Sequence, residues 1–320
     1  MLNLAILGTG NIASLCHGPA LRNVRGARLW SVFSRDLERA ESFAVTHHAA
    51  SPKPAYDDLA ACLADPDVHA ALITTPDGLH AKHAIAAARA GKHVFCEKPL
   101  ATTIEDGQAI VDACKEARVC LGVGYHLRWH GGHRALRERI AHGDLGKIRH
   151  TRVQWTYRAE SDSNWRASRA LASAWALAAM GTHAIDLVRW FMEPSSGTIT
   201  EVRSMTSRSV WKSPNDETAL VQLRFANGAT ADVLASVLFD SPRRLEIYGS
   251  KANALCEATL GPYGEGRVTV AGEDLRWELT GPFEAELQDF VRAVAEGRTP
   301  EVSGEEALSN LAIVLRAAQE

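Results

Sequence analysis

The chain has 320 residues, more than a single hydrophobic core usually supports, so two domains are expected. A hydrophobic fraction of 46%, a charged fraction of 23% and a formal net charge of −3 are typical of a globular protein that has no electrostatic reason to bind nucleic acid or an anionic membrane. Scattered cysteines without a CxxC pair, an N-terminus without signal-peptide features and the lack of a long apolar run predict a cytoplasmic protein without a membrane span.

The first 122 residues alternate short apolar strands with helical segments. The predicted strands are Leu2–Leu7, Arg28–Phe33, Val68–Thr74, His93–Cys96 and Val119–Val123, and the predicted helices are Ile12–Val24, Asp36–Val45, His80–Ala90 and Ile104–Ala117. Alternation of this kind implies right-handed crossovers and a parallel sheet covered on both faces. Residues 1–122 are therefore predicted to form a doubly wound α/β domain.

From residue 123 the pattern changes to longer strands grouped together. Predicted strands lie near Ile148–Tyr157, Val202–Val210, Thr218–Phe225, Thr230–Leu238, Leu245–Tyr248 and Arg267–Val270, and predicted helices at Gly132–His142, Ser173–Met192, Glu284–Glu296 and Glu305–Ala318. Grouped strands and helices favour an open, mainly antiparallel sheet with helices on one face. Residues 123–320 are predicted to be a second domain of α+β type.

A glycine motif, Gly8-x-Gly10-x-x-Ala13, follows the first strand directly and opens the first helix. The first glycine permits a tight turn, the second lets a pyrophosphate approach the backbone, and the helix N-terminus offers N–H groups to the phosphates. In this strand–turn–helix context the motif predicts a Rossmann dinucleotide site. Its cofactor-binding residues would be Gly8, Thr9, Gly10, Asn11 and Ile12.

The end of the second strand distinguishes NAD from NADP, because an acidic residue there binds the ribose diol. Here Ser34 and Arg35 occupy the tip. A hydroxyl and a guanidinium suit a 2′-phosphate, so NADP is favoured and NAD stays possible. Asp36 could still meet the ribose, but it stands where a helix N-cap is wanted, and capping is the preferred interpretation.

Three segments of the first domain carry a resemblance to a known family. Thr74–His80 (TTPDGLH), Ala90–His93 (AGKH) and Glu97–Pro99 (EKP) are very similar to the signature of the Gfo/Idh/MocA family, named after glucose–fructose oxidoreductase and inositol dehydrogenase. The similarity continues through HGDLGKIRH, NWR, MGTHAIDLVRWF and LEIYGSKA. It implies a Rossmann domain followed by a substrate domain, with a nicotinamide cofactor oxidising or reducing sugars, polyols or similar carbonyl compounds.

The resemblance gives the EKP segment a chemical role. In the family this lysine lies beside the nicotinamide and the reacting carbon, so Lys98 is expected to reach the alcohol or carbonyl oxygen and act as acid/base. Glu97 would orient the segment, and Pro99 would hold Lys98 in place through a cis bond. The competing interpretation of Lys98 is a solvated charge at a strand end.

The second catalytic element departs from the family pattern, which has a glycine-rich lead, an Asp and a His or Tyr four residues later. His183 fits the acid/base position, but Ala179 stands where the Asp is expected. His183 could work with Lys98 alone, or the substrate could differ, with Trp175 filling space used by a sugar hydroxyl, or the site could no longer turn over. Asp186 is expected to pair with His183 or to cap local structure.

The resemblance also assigns weaker candidates. Thr75, Pro76 and His80 would lie along the ribose and nicotinamide, although His80 could simply cap its helix. The expected substrate-binding residues are Arg128, Trp165, Arg166, Trp175 and His183. For Arg166 a hydroxyl or carboxylate contact and a packing role of the NWR segment remain equally open.

The prediction is an oxidoreductase that transfers hydride to or from a small cyclic or polyhydroxylated compound, with NADP favoured over NAD. Two alternatives stay open: a lyase or glycosidase that retains its cofactor through a redox cycle, and a non-catalytic cofactor-binding regulator. Thirteen histidines are present, but no HExxH and no ligand cluster is visible, so no metal is predicted. The open sheet face predicts a homodimer or homotetramer.

Overall fold

The computed structural model describes residues 1–211 and 213–319. The chain divides into two compact units, and each contains two stretches of sequence. The first unit comprises Met1–Gly124 and Phe283–Leu311, and the second comprises Tyr125–Pro282 and Ala312–Glu320. The predicted domains, 1–122 and 123–320, differ from this division mainly at residues 283–311, which return to the first unit.

The first unit contains a parallel sheet that, within the described residues, has six strands in the order β3-β2-β1-β4-β5-β6. The strands are β1 (Leu2–Leu7), β2 (Ala27–Phe33), β3 (Ala55–Tyr56), β4 (Ala70–Ile73), β5 (His93–Glu97) and β6 (Leu121–Gly124). β4 is buried at every position, as expected for a sheet covered on both faces. This order is the doubly wound arrangement that the alternating pattern predicted.

Helices cover this sheet. They are α1 (Gly18–Leu21), α2 (Leu37–Thr46), α3 (Leu59–Ala64), α4 (His80–Arg89) and α5 (Ile104–Glu116), and a π-helical turn at Ala13–His17 precedes α1. Two later helices are α8 (Pro282–Glu296) and α9 (Gly304–Gln319). The apolar residues of α8, Phe283, Leu287, Phe290 and Val291, pack into the same core as Leu4, Ile6 and Leu72. That burial explains why residues 283–311 belong to the first unit.

The second unit contains a mixed, mainly antiparallel sheet, which has eight strands among the described residues, in the order β14-β13-β12-β11-β7-β10-β9-β8. The strands are β7 (Ile148–Thr156), β8 (Ile199–Ser207), β9 (Thr218–Phe225), β10 (Thr230–Ser236), β11 (Arg244–Gly249), β12 (Asn253–Glu257), β13 (Arg267–Val270) and β14 (Glu273–Asp274). The helices α6 (Gly131–Ala141) and α7 (Thr182–Ser196) belong to this unit. Residues of β9 alternate between buried and exposed, so one face of the sheet lies open. The α+β prediction is confirmed.

Candidate active site

The glycine turn after β1 has the geometry that a dinucleotide loop needs. Gly8 has a φ of +110°, and a Cβ there would come within 3.0 Å of the Thr74 carbonyl oxygen. The Gly8 N–H donates to the Phe33 carbonyl at 2.9 Å, which ties the turn to the end of β2. A side chain at Gly8 would be strained and crowded at once, so the glycine is required by the backbone itself.

The residues after Gly8 leave space where a phosphate would approach. A Cβ added at Gly10 would meet no atom within 4 Å, and helical structure begins at Asn11 and continues into the π-helical turn. Ala13 is fully buried in the core of the first unit. The buried hydroxyl of Thr9 has no hydrogen-bond partner. An open backbone, an unused hydroxyl and helix N–H groups together fit a pyrophosphate.

The tip of β2 carries the residues that choose between cofactors. Ser34 is buried, and its hydroxyl accepts the Asp36 N–H at 3.3 Å, while Arg35 is exposed. The carboxylate of Asp36 accepts the Arg39 N–H at 3.2 Å and caps α2. The capping role predicted for Asp36 is therefore confirmed.

A cleft beside this tip contains a further cation that sequence reasoning missed. Its walls include Thr9, Ser14, Asp36 and Arg39. The guanidinium of Arg39 lies 3.5 Å from the Thr9 carbonyl oxygen, so it reaches across from α2 to the glycine loop. An arginine in the first turn of the helix after β2 was the only signal of this contact in the sequence.

The segment after β4 is held by two histidines. His80 is buried, and its ring nitrogens lie 2.9 Å from the Thr75 carbonyl oxygen and 2.8 Å from the Pro99 carbonyl oxygen. The His83 ring bonds the Thr75 hydroxyl at 3.0 Å, and burial lowers the pKa of His83 to about 4. Pro76 precedes a short 3₁₀ turn, Asp77–Leu79. Because both nitrogens of His80 are engaged by main-chain oxygens, this ring joins the two loops that flank β4 and β5.

The EKP segment lies at the end of β5 and is tied down from within. Lys98 has 7% of its surface exposed, and the Glu97 carboxylate accepts the Lys98 N–H at 3.1 Å. The other oxygen of Glu97 lies 2.7 Å from Nε2 of buried His17. The predicted cis bond between Lys98 and Pro99 is present. The alternative of a solvated charge at the strand end does not fit the burial of Lys98.

A second carboxyl group, which no sequence motif indicated, lies beside Glu97. The donor atoms of His17, Glu97 and Glu286 all lie within 4.8 Å of one another, and all three residues are buried. Both oxygens of Glu286 lack a hydrogen-bond partner. Burial, and then the charge of Glu97, raises the pKa of Glu286 well above its usual value. Three residues distant in sequence form this cluster, so no local spacing could have predicted it.

In the second unit His183 lies in the first turn of α7 and is buried among rings. The ring centroids of Tyr125, His126 and Trp155 lie 5.8, 4.7 and 5.5 Å from that of His183. The Tyr125 hydroxyl and the Thr182 hydroxyl are 2.8 Å apart, which fixes one wall of this surround. The orientation of His183 is thus restricted by aromatic contacts.

Asp186 forms a buried ion pair with Arg128. Its carboxylate accepts two bonds from Arg128, at 2.8 Å from Nε and 2.6 Å from Nη2, and both side chains are buried. Sequence reasoning missed this contact because Arg128 lies on the 3₁₀ turn His126–Trp129, 58 positions earlier in the chain. The pairing of Asp186 with His183 stays a prediction. Arg128, expected to bind substrate, is therefore engaged by a bidentate ion pair.

Two further substrate candidates lie on the short 3₁₀ turn Trp165–Ala167. The guanidinium carbon of Arg166 stacks 4.1 Å from the centroid of the Trp165 ring. The side-chain amide of Asn215 donates to the Arg166 carbonyl at 2.6 Å, which anchors the turn. Nε of Arg166 is buried without a partner. The turn is therefore packed and anchored, and one polar atom of Arg166 stays available.

Trp175, also expected to contact substrate, is fully buried and stacks on Trp211 with centroids 5.1 Å apart. It belongs to an apolar cluster with Met180 and Val237, and its main-chain N–H donates to Asp216 at 2.7 Å. The side chain has no exposed surface and packs in this cluster, and its indole Nε1–H is buried without a hydrogen-bond partner. Ala179, in the π-helical turn Leu177–Gly181, packs against the same cluster.

Two models of one protein family match the chain. The model of the oxidoreductase family with an NAD-binding Rossmann fold, GFO_IDH_MocA, matches residues 2–125. The model of the GFO/IDH/MocA C-terminal domain matches residues 133–255. The chain belongs to the Gfo/Idh/MocA oxidoreductase family. The resemblance carried by the EKP segment and its neighbours is confirmed.

Named relatives in this family act on sugars and polyols. A 1,5-anhydro-D-fructose reductase of Ensifer adhaerens is 28% identical over 315 residues, covering 96% of this chain and 92% of that protein. A myo-inositol 2-dehydrogenase of Thermotoga maritima is 26% identical over 318 residues, covering 95% and 92%. The crystal structure of aldose-aldose oxidoreductase from Caulobacter crescentus, complexed with glycerol, has a TM-score of 0.90 at 27% identity and covers 99% of this chain and 97% of that chain.

Family and fold establish the general class of activity. The protein is an oxidoreductase of the nicotinamide-dependent type, with a Rossmann unit that matches the NAD-binding model of the family. None of the helices within residues 1–211 and 213–319 is long and apolar enough to cross a membrane.

Proposed function

We propose that the protein is an NADP-preferring dehydrogenase or reductase acting on a sugar, a polyol or a similar cyclic compound. The observation that carries this proposal is the pairing of a glycine turn, open at Gly10, with a buried lysine that follows the end of β5. The substrate class is supported by relatives named for an anhydrosugar and a cyclitol.

The preference for NADP rests on charge at the tip of β2. Ser34 occupies the terminal position, and one oxygen of the Asp36 carboxylate caps α2. Arg35 is exposed, and Arg39 lies in the neighbouring cleft. Two guanidinium groups can bind a 2′-phosphate, whereas a ribose diol would need a free carboxylate.

Lys98 is the proposed acid/base of the reaction. A bound nicotinamide would supply or accept hydride at the reacting carbon, and Lys98 would exchange the proton on the oxygen of that carbon. In the oxidation direction Lys98 takes the hydroxyl proton, and in the reduction direction it donates a proton to the developing alkoxide. The hydrogen bond from the Lys98 main-chain N–H to the Glu97 carboxylate restrains the main chain of Lys98.

His183 is proposed as a second group that exchanges a proton with the substrate or binds one of its hydroxyls. The family resemblance supports this role, as does a ring orientation fixed by Tyr125, His126 and Trp155. Ala179 cannot contribute a carboxylate, so the site lacks the Asp of the usual family pattern. We therefore assign most of the proton transfer to Lys98.

A paired fluorescence titration with NADPH and NADH tests the function. We expect tighter binding of NADPH, weakened selectively by Arg35→Ala or Arg39→Ala, with Arg89→Ala as an exposed control on α4. Turnover of a panel of aldoses, anhydrosugars and cyclitols with NADP⁺ then identifies the substrate class. Preferred binding of NADH contradicts the cofactor assignment, and binding of neither nucleotide contradicts the proposed enzyme.

The assembly is proposed to be a homodimer or homotetramer formed through the open face of the eight-stranded sheet. Met205, Leu220 and Tyr248 are exposed large side chains on strands β8, β9 and β11 of that sheet. Light scattering on the intact protein and on a Leu220→Lys variant tests this, because a buried charge should dissociate the oligomer. A monomer in both samples contradicts the proposal.

A further inference from the structure

The buried cluster of His17, Glu97 and Glu286 places two carboxyl groups beside one imidazole. Two carboxyl groups and one imidazole have donor atoms within 4.8 Å of one another. Full ionisation of both carboxyls would leave a net negative charge even beside a protonated imidazole. An uncompensated buried charge is costly, so one carboxyl is expected to keep its proton.

The hydrogen bonds identify which carboxyl that is. One oxygen of Glu97 lies 2.7 Å from Nε2 of His17, which donates to an ionised carboxylate when Nε2 carries the proton, and the other oxygen accepts the Lys98 main-chain N–H at 3.1 Å. Glu286 is 3% exposed, and both of its oxygens lack a partner. Hydrogen bonds stabilise the ionised form of Glu97, and nothing comparable stabilises an ionised Glu286.

The surroundings are built to hold these groups in place. The His17 ring packs edge-on against Phe95 and Phe283, with centroids 6.0 and 5.1 Å away. A Cβ at Gly124 would lie 3.1 Å from an oxygen of Glu97, so the glycine at the end of β6 leaves room for that carboxylate. An apolar wall and a fitted space on the neighbouring strand leave Glu97 little freedom to move.

We propose that Glu286 is a positioning residue, a neutral carboxylic acid whose otherwise unpartnered proton is donated to the Glu97 carboxylate within 4.8 Å, so that Glu286 and His17 together hold that carboxylate and fix the main chain at Lys98. The proposal rests on the catalytic role proposed above for Lys98. A metal ion is the other occupant that such a donor set could accept. The proton is favoured because the Lys98 N–H and Nε2 of His17 already face the two oxygens of Glu97.

The titratable groups around the Glu286 carboxyl are His17 and Cys16 on the first helix and Glu97 on β5. Burial, followed by the charge of Glu97, raises the pKa of the Cys16 thiol to about 12, so Cys16 stays neutral and adds no charge. The Cys16 thiol therefore does not contribute to a change in the protonation of the cluster near neutral pH.

The pH dependence of unfolding tests the protonation of Glu286. A neutral Glu286 releases its proton on unfolding, so each rise of one pH unit favours the unfolded state about ten-fold between the unfolded and the folded pKa. We expect the unfolding constant of the wild type, divided by that of Glu286→Gln, to rise about ten-fold per pH unit from about pH 5.5 up to the raised pKa of folded Glu286. A constant ratio overturns the proposal.

The matched control is Glu296→Gln, an exposed residue on the same helix α8. The unfolding constant of the wild type, divided by that of Glu296→Gln, should not change with pH over that range. Metal analysis of the purified protein is a second test. A stoichiometric divalent metal that is lost in Glu286→Gln would overturn the proposal that Glu286 is a neutral acid.

Turnover tests the positioning part separately. Glu286→Leu lacks a donor and should lower kcat about ten-fold or more without changing the affinity for NADPH, and Glu286→Gln, whose amide can donate to Glu97, should restore most of the loss. Wild-type kcat in Glu286→Leu overturns the positioning role even where the pH-dependent ratio persists. If the proposed catalytic role of Lys98 is wrong, the Lys98→Met variant stays active. That result distinguishes a failure of the catalytic role from a failure of the positioning role of Glu286.

Discussion

The two segments that the sequence selects for chemistry have different surroundings. At the end of β5 the main-chain N–H of Lys98 donates to Glu97 at 3.1 Å, and Glu97 lies 2.7 Å from Nε2 of His17. In the second unit His183 lies among the rings of Tyr125, His126 and Trp155. Polar contacts hold the main chain of Lys98, and aromatic rings pack around His183.

The difference indicates where each unit resists change. A buried polar network specifies one geometry, and it becomes costly when a single member is removed. Aromatic packing restricts a ring but tolerates another residue of similar volume. We therefore expect substitutions near Lys98 to change chemistry more than substitutions near His183, while the second unit depends for stability on the ion pair between Arg128 and Asp186.

The largest effect on stability is expected for Asp186→Ala. This change removes the carboxylate that the buried guanidinium of Arg128 reaches through two bonds, and it should lower the free energy of unfolding by about 3–5 kcal/mol. Urea unfolding measures the loss. Arg203→Ala, which removes an ion pair of an exposed arginine on β8, is the control and should cost less than about 1 kcal/mol. Equal losses of unfolding free energy in the two variants would contradict a larger contribution from the buried ion pair.

Acid should destabilise both units through buried histidines. Burial lowers the pKa of His83 to about 4 and that of His133 to about 3. Because these folded values lie below the ordinary value near 6.5, stability is fully present above that pH and is lost as the pH falls toward 4.

For His83 the loss should reach about 3 kcal/mol. The free energy of unfolding, measured between about pH 7 and 4, tests this loss. His83→Gln should reduce its pH dependence, and His142→Gln, at an exposed residue, should leave the pH dependence unchanged. An unchanged profile in His83→Gln would contradict the neutral buried ring.

Trp175→Phe separates a core role from a substrate role. The fully buried ring stacks on Trp211, so the smaller side chain should cost about 1–2 kcal/mol of stability and leave KM for the substrate unchanged. Thermal unfolding and steady-state kinetics on the same preparation give both numbers. A raised KM with wild-type stability would restore Trp175 to the substrate site.

The smallest effect is expected for Asp36→Ala. Loss of the cap on α2 should cost about 1 kcal/mol, and the affinity for NADPH should stay close to that of the wild type. Arg35→Ala is the reverse control, because it should weaken NADPH binding and leave stability unchanged. If Asp36→Ala instead abolishes NADH binding at full stability, the carboxylate binds the ribose.

Much of the first unit could be predicted because its motifs are local. The glycine turn at Gly8 follows a strand directly, and a cap at Asp36 is a matter of neighbouring residues. The return of residues 283–311 could not be predicted in this way. Phe283 and Phe290 are equally suited to either core by their apolar character, and only the fold decides which core they enter.

The same limit explains what sequence reasoning missed at the candidate site. For Asp186 a partner one helical turn away was expected, and the bidentate partner Arg128, 58 positions earlier in the chain, was missed. Glu286 gave no signal because its neighbours, His17 and Glu97, come from distant segments. Trp175 is fully buried, which no pattern of neighbouring residues indicated.

The most direct test of the central claim is the kcat of Lys98→Met, measured at saturating NADPH or NADP⁺ beside that of His183→Phe. We predict that Lys98→Met lowers kcat by about 10³-fold and binds NADPH as the wild type does, while His183→Phe loses less. Turnover of Lys98→Met within about ten-fold of the wild type would contradict the account, because the proton chemistry would then lie elsewhere.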